Sequence, residues 1–273
     1  MAMVINTNMA SENAVRLLDQ TSRSQKTSME RLTSGLRINH TADDAAGKAV
    51  VTKMDSQVKG TDMAIRNAND GISLAQTMDG ALEEAMNLLQ RMRELAVQMG
   101  NATYTSAQRA DAQREVSQLQ IEISRIGATT KFNGTNLLNT TSTMSFHVGW
   151  EQAAVNEITL SRVNLSAGAR TYDSVNVTTQ AKAISSLSML DKDISALAKA
   201  RAKIGAVQNR LEHTIANLQN VNENIKTARS QIQDADFARE SANLARTQVL
   251  QQAGMAMLSQ ANKNSQQVLS LLR

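Results

Sequence analysis

The side chains in this sequence that could do chemistry are few and scattered. His40, His147 and His213 lie far apart in the chain and show neither HExxH nor any other metal-ligand spacing. Each therefore reads as a surface or interface histidine. Asp43 with Asp44, and Glu83 with Glu84, are immediate neighbours. Neighbouring residues on a helix point about 100° apart, so neither pair can share a proton as a general acid and base would. The glycines are isolated and build no phosphate-cradling loop. Cysteine is absent, which removes disulfides and thiolate metal sites. No catalytic residue, cofactor or metal is expected, and function is left to surfaces.

The elements that carry those surfaces follow from composition. Among 273 residues there is no proline, whereas average usage of roughly 5% would give about 14. Aromatic residues make up only 2%. Both facts favour long uninterrupted helices, because proline breaks helices and compact cores lean on large rings. Fourteen methionines and many alanines fit a thin seam between helices. The formal charge is +4, but cations alternate with acids in RMRELAVQ and KDISALAKARAK. No basic stripe with interleaved aromatics is present, so nucleic acid is not an expected partner. No apolar run approaches the roughly 18 residues of a membrane span, so insertion into a bilayer is not expected either. The stretch MAMVINTNMASENAVRLL has no basic n-region and no continuous apolar core. It does not read as a cleaved secretory signal, which leaves a soluble chain or one exported without cleavage.

Periodicity places the helices. Leu82, Ala85, Leu89, Met92, Ala96 and Met99 recur at alternating steps of three and four, a heptad seam. A single helix over 44–100 would run roughly 85 Å, which predicts an elongated molecule. Gly60, Gly71 and Gly80 weaken that helix and are expected to let it bend. TADD before AAGKAV reads as its start, with Thr41 and Asp44 at capping-box spacing. After Gly100, Asn101 and Thr103 the pattern resumes at Ala112, Val116, Leu119, Ile123 and Ile126, so an antiparallel helical hairpin is expected. Leu190, Leu197, Ile204, Leu211, Leu218, Ile225 and Ile232 repeat every seven residues. The alternate seam positions mix Ile194 and Ile215 with Arg201, Gln208, Asn222 and Arg229, polar residues that would fix register. Between these stripes, Met144, Phe146, Val148 and Trp150 alternate with polar residues, and NEITLSRVNL offers a second strand after the turn-rich FNGTNLLN. The expected fold is mainly α: an elongated antiparallel helical bundle or coiled coil built from both chain halves, with a small β-hairpin region at about 131–177.

The segment TQVLQQAGMAMLSQANKNSQQVLSLL holds one charged residue, Lys263, among many Gln, Asn and Ser, with Val268, Leu269, Leu271 and Leu272 after it. Chain termini are usually polar and loose, so these leucines need a surface to bury against.

Four stretches together carry a resemblance: MAMVINTN, ERLTSGLRINHTADDAAGKAV, ANDGISLAQTMDGALEEAMNLLQRMRELAVQ and DADFARESANLARTQVLQQAGMAMLSQANKNSQQVLSLLR. In this order, covering roughly 1–139 and 178–273, they resemble bacterial flagellin. The resemblance implies a subunit that self-assembles into the helical flagellar filament, the propeller of bacterial swimming. Residues 1–43 and 234–273 would pair as inner terminal helices, and 44–233 would form a surrounding rod-like helical domain. Self-assembly is then expected at Val15, Leu18, Met29, Leu32, Leu258, Val268, Leu269, Leu271 and Leu272, against each other and against identical copies. Such contacts do not close and so grow an open filament. The large outer domains common in the family have no counterpart in the roughly 40 residues between the matching halves, so the filament is expected to be thin. Family members often carry proline where this chain has Ser265, so the terminal helix is expected to continue.

The resemblance further implies export through the flagellar type III apparatus to an extracellular filament. The partners it implies are an export chaperone holding the C-terminal segment, the filament cap and hook–filament junction proteins. The surface matching LQRMRELAVQ, here Arg91 and Leu95 with Glu115, would be read by host Toll-like receptor 5; the same residues would also serve contacts between subunits. Ser142, Thr143, Ser161, Ser166, Thr171 and Ser174 are candidates for O-linked sugars. The alternative is a non-filament coiled-coil adaptor such as a hook–filament junction protein.

Overall fold

The computed structural model describes residues 8–166, 168 and 170–271, with side chains described up to Lys263. Five helices dominate: α1 (Met9–Ser34), α2 (Ala45–Met99), α3 (Ser106–Thr129), α4 (Gln180–Gln233) and α5 (Phe237–Leu271). Between α3 and α4 stand two antiparallel hairpins, β1 (Lys131–Phe132) with β2 (Thr135–Asn136) and β3 (Thr143–His147) with β4 (Glu157–Ser161). The mainly α architecture with a small β region is as the sequence predicts. Contacts divide the chain into two compact units, residues 57–223 and residues 1–56 with 224–273.

Local signals explain where the helices begin and end. Asn8 caps α1, its side-chain oxygen accepting from the Ser11 N–H. Gly35 ends α1 in the left-handed region (φ 72°), and its N–H donates to the Arg31 carbonyl. α2 starts one residue after Asp44, whose carboxylate accepts the Gly47 N–H at 2.8 Å. The N-cap is thus Asp44 and not Thr41, because Asp43 already holds the preceding turn by accepting from the N–H groups of Asn39 and His40. Those hydrogen bonds, the one to His40 foremost, hold the Asp43 carboxyl below its ordinary range. Thr105 and Gln108 form a full capping box at the start of α3. Asp236 caps α5 through the N–H groups of Ala238 and Arg239. α5 then runs through Ser265 without a break, as the missing proline predicts.

The 57–223 unit has a continuous apolar core. Leu82, Ala85, Leu89, Met92, Ala96 and Met99 of α2 are all buried, and so are Val116 and Ile123 of α3 and Leu190, Leu197, Ile204 and Leu211 of α4. The β3–β4 hairpin lays Met144 and Phe146 opposite Leu160 and Ile158. Val148, Ile158, Ala68 and Leu211 make a smaller cluster beneath it. Two glycines read as weak points in α2 permit close approach instead. A Cβ on Gly60 would lie 2.8 Å from the Trp150 Cβ, and one on Gly71 would lie 3.2 Å from both Leu211 and Phe146. Trp150 stands beyond the strand and is exposed, so the inward alternation ends at Val148.

Three of the four polar seam positions of α4 find partners on α2. Arg201 bonds Asp79 and Glu83, and Asn222 donates to Asp62. Twenty-one residues separate Glu83 from Asp62 and Arg201 from Asn222 alike, so the helices keep one antiparallel register between these pairs. In the other unit, Arg229 pairs with Asp55.

Candidate assembly site

The unit made of residues 1–56 and 224–273 packs α1 against α5. Three contacts fix the pairing as antiparallel: Asn8 donates to the Ala261 carbonyl, Leu18 faces Gly254, and Ser28 and Arg31 meet Glu240. Gly254 is required by that approach, since a Cβ there would lie 2.8 Å from Leu18 Cδ2. At the other end of the pair, the Arg37 and Ala235 N–H groups donate to the carbonyls of Gln233 and Gly35, and the Arg37 guanidinium donates to Ile232 at the end of α4.

This unit has almost no dry core. Among its described residues the buried apolar side chains are Ile38 and Val51, neither of them on α1 or α5. The buried side chains on those two helices are Ser28, Glu240 and Thr247. Ser28 donates to Glu240 Oε2 at 2.9 Å and Arg31 donates to Oε1 at 3.1 Å. Burial alone would raise the Glu240 pKa, but hydrogen bonds from Ser28, Arg31 and Asn243 and the Arg31 charge outweigh it and hold the group below its ordinary value. The carboxylate is therefore ionised and satisfied inside the helix pair.

Several large apolar residues of the same helices face outward. Leu17, Val249, Leu250, Met255 and Met257 are exposed, Met257 by 67%. Of the residues expected to self-assemble, Val15 and Met29 are exposed at 44% and 51%, whereas Leu18, Leu32 and Leu258 are half-buried. The side chains of Val268, Leu269 and Leu271, and all of Leu272, lie outside the described residues.

In the 57–223 unit, Arg91 binds Glu115 across the α2–α3 surface at 2.8 Å and Glu94 on its own helix at 3.1 Å. The hydrogen bond that Arg91 donates to Glu115, with that to Glu94, raises the Arg91 pKa above its already high value. Leu95, expected beside these charges, is only 3% exposed and belongs to the core beneath them. The six hydroxyls considered for sugars fall into two groups. Ser142 is held by Arg162, Ser166 bonds Asn139, and Thr171 donates to Asp193. Thr143, Ser161 and Ser174 are exposed, with no side-chain hydrogen bond among the described residues.

Several residues that hold these surfaces escape sequence reading. Arg109 is buried and donates to the carbonyls of Met99 and Asn101, closing the end of α2. Buried Asp193 accepts from the Tyr172 N–H and the Thr171 hydroxyl, anchoring the segment before α4. The Tyr172 hydroxyl, its pKa pushed up to about 12 chiefly by burial, donates to the Leu165 carbonyl. Nothing in the periodicity marks Arg109 or Asp193, since each answers a carbonyl or N–H that only the folded chain presents. Among the described residues no acidic or histidine cluster could hold a metal ion, and no helix is long and apolar enough to cross a membrane.

Comparison with known proteins supplies the family. The model of the bacterial flagellin N-terminal helical region matches residues 5–143, and that of the C-terminal helical region matches residues 187–272. A flagellin of Halalkalibacterium halodurans is 45% identical over 272 residues, spanning 99% of this chain and 100% of that one. Flagellin FlaB2 of Treponema pallidum is 41% identical over 288 residues, with 99% and 100% covered. The crystal structure of Bacillus cereus flagellin aligns with a TM-score of 0.48 at 31% identity, over 56% of this chain and 88% of that one. With both helical regions matched and full-length relatives above two-fifths identity, this chain belongs to the bacterial flagellin family.

Proposed function

We infer that the chain is a structural subunit of the bacterial flagellar filament, assembling with copies of itself into an open helical polymer. One observation carries this reading: the α1–α5 pair turns Leu17, Val249, Met255 and Met257 outward in a unit that buries little apolar surface of its own. Identical neighbours would cover those residues, and burial at about 25 cal/mol per Å² makes such cover favourable. The α5 part of that face, residues 247–263, carries a single charge, Lys263, which suits a repeating contact because a charge at one site recurs in every neighbour. A junction-type adaptor is not favoured by matches to flagellin over the whole chain.

Several finer parts belong to the same proposal. Residues 1–43 with 234–273 form the assembling inner part and 44–233 the helical part around it, giving a thin extracellular filament without catalytic activity. An export chaperone, the filament cap and junction proteins meet the subunit on its way to that filament. Toll-like receptor 5 reads the Arg91–Glu115 surface, with Leu95 supporting it from below. Sugars, where attached, sit at Thr143, Ser161 or Ser174, the exposed residues of the six whose hydroxyls make no side-chain hydrogen bond among the described residues.

Adding purified monomer to sheared fragments of its own polymer tests the reading, with growth followed by light scattering and microscopy. Concentration-dependent elongation into long fibres is expected. Absence of growth at every concentration would overturn it. For the receptor surface, Arg91→Ala and Glu115→Ala monomers are expected to activate the receptor less than the parent, and equal activation rejects that assignment.

A further inference from the structure

We propose that Ser28, Arg31 and Glu240 form a register lock: positioning residues that fix how far along α5 the helix α1 stands, and so align the apolar residues through which copies assemble. The inference rests on the filament reading above.

The helix pair lacks any other strong source of register among its buried groups. Among the described residues, α1 and α5 bury no large apolar side chain against each other, and half-buried contacts such as Leu32 and Leu258 tolerate sliding. A buried carboxylate tolerates it poorly, because a slipped pairing takes away the Arg31 cation that offsets its burial. Moving α1 by one heptad in one direction would set Glu240 against Thr21 and Ser24 in place of Ser28 and Arg31, so the cation of the present pairing is lost. Moving it the other way would set Glu240 against Gly35, beyond the end of α1. A single polar residue at a helix seam is a known means of choosing one register at some cost in stability.

A second contact agrees with the first. Gly254 lies 14 residues along α5 from Glu240, roughly 21 Å, and is the residue that admits Leu18. The first of those slips would bring Thr247 to Leu18, placing a branched side chain where only hydrogen now fits.

The lock has a consequence for the outer surface. With Leu18 level with Gly254 in an antiparallel pair, Val15 stands level with Met257 and Leu17 with Met255. All four are exposed. A one-heptad slip, roughly 10 Å, would pull them out of step and spoil the surface that a neighbouring copy must match.

The test uses the full chain, which has no cysteine. Asn8→Cys with Ala261→Cys reports native register through a disulfide, since the Asn8 amide lies 3.3 Å from the Ala261 carbonyl. Into this background go Arg31→Leu with Glu240→Leu, and separately Glu240→Gln, which keeps an oxygen for Ser28 and Arg31. If the cluster served only to hold the helices together, two leucines would hold them as well or better. The lock instead predicts that the double leucine variant loses most of the native-register disulfide in the polymerised material and elongates at least about tenfold more slowly, while Glu240→Gln stays within about threefold of the parent. Melting of the 57–223 unit, expected unchanged in both, shows that the variants fold. A double leucine variant with parental disulfide yield and parental elongation overturns the lock alone. Failure of the parent to elongate overturns the filament reading and the lock with it.

Discussion

The 57–223 unit buries Leu82, Leu89, Met92, Ile123, Leu190 and Leu197 almost completely, while the unit of residues 1–56 and 224–273 buries Ile38, Val51 and a charged cluster. Both are built from long helices of similar composition, so helix propensity does not separate them. They differ in where the apolar side chains point. In the first, three helices and two hairpins supply enough surfaces to enclose an apolar seam. In the second, α1 and α5 cover each other along one face only, and Val249, Met255 and Met257 are left to water. A helix whose apolar stripe lacks cover is marginal in isolation. One unit therefore encloses its own apolar core, and the other leaves apolar surface open for neighbouring copies to cover.

Removing the exposed part of α5 should have the largest effect. Ending the chain before Gln248 takes away Val249, Leu250, Met255 and Met257, and elongation on seeds is expected to stop while the melting transition of the 57–223 unit, followed by calorimetry, stays in place. Next comes Leu89→Ala, which opens a cavity in the closed core and should lower the stability of that unit by about 2–5 kcal/mol in urea titrations. Its counterpart Met257→Ala should change monomer stability by less than about 0.5 kcal/mol and yet slow elongation. Arg109→Ala leaves the carbonyls of Met99 and Asn101 without their donor, a loss of about 1–3 kcal/mol confined to the 57–223 unit. The smallest effect concerns pH. The folded pKa of Glu240 is depressed, so its contribution to the α1–α5 pair is fully present above the unfolded carboxylate value of about 4.3 and is lost as pH falls through the folded one. Polymer stability should fall over that acid range, and Glu240→Gln should flatten that part of the profile.

Most of the closed unit is legible in the sequence, because burial there follows period. The positions from Leu82 to Met99 and from Leu190 to Leu211 are buried as their heptads require, and Leu218, Ile225 and Ile232 continue the stripe half-buried. The short β1–β2 hairpin was equally readable from its Asn133-Gly134 pair, both at positive φ, although FNGTNLLN reads at first as a mere turn. Other features escape a one-dimensional reading because their partners are remote in sequence. Glu240 looks like one more exposed acid until Ser28 and Arg31 arrive from more than 200 residues away. Gly60 and Gly71 look like flaws in a helix until Trp150 and Phe146 come to rest on them. Leu95 sits next to charged residues in the chain and under them in the fold.

Hydrogen exchange on dilute monomer, repeated on the polymer, tests the contrast between the units most directly. Amides of α1 and α5 are expected to exchange quickly in monomer while those of α2, α3 and α4 within residues 57–223 are protected, and polymerisation is expected to slow exchange in α1 and α5. Equal protection of α1 and α5 in dilute monomer would contradict that contrast.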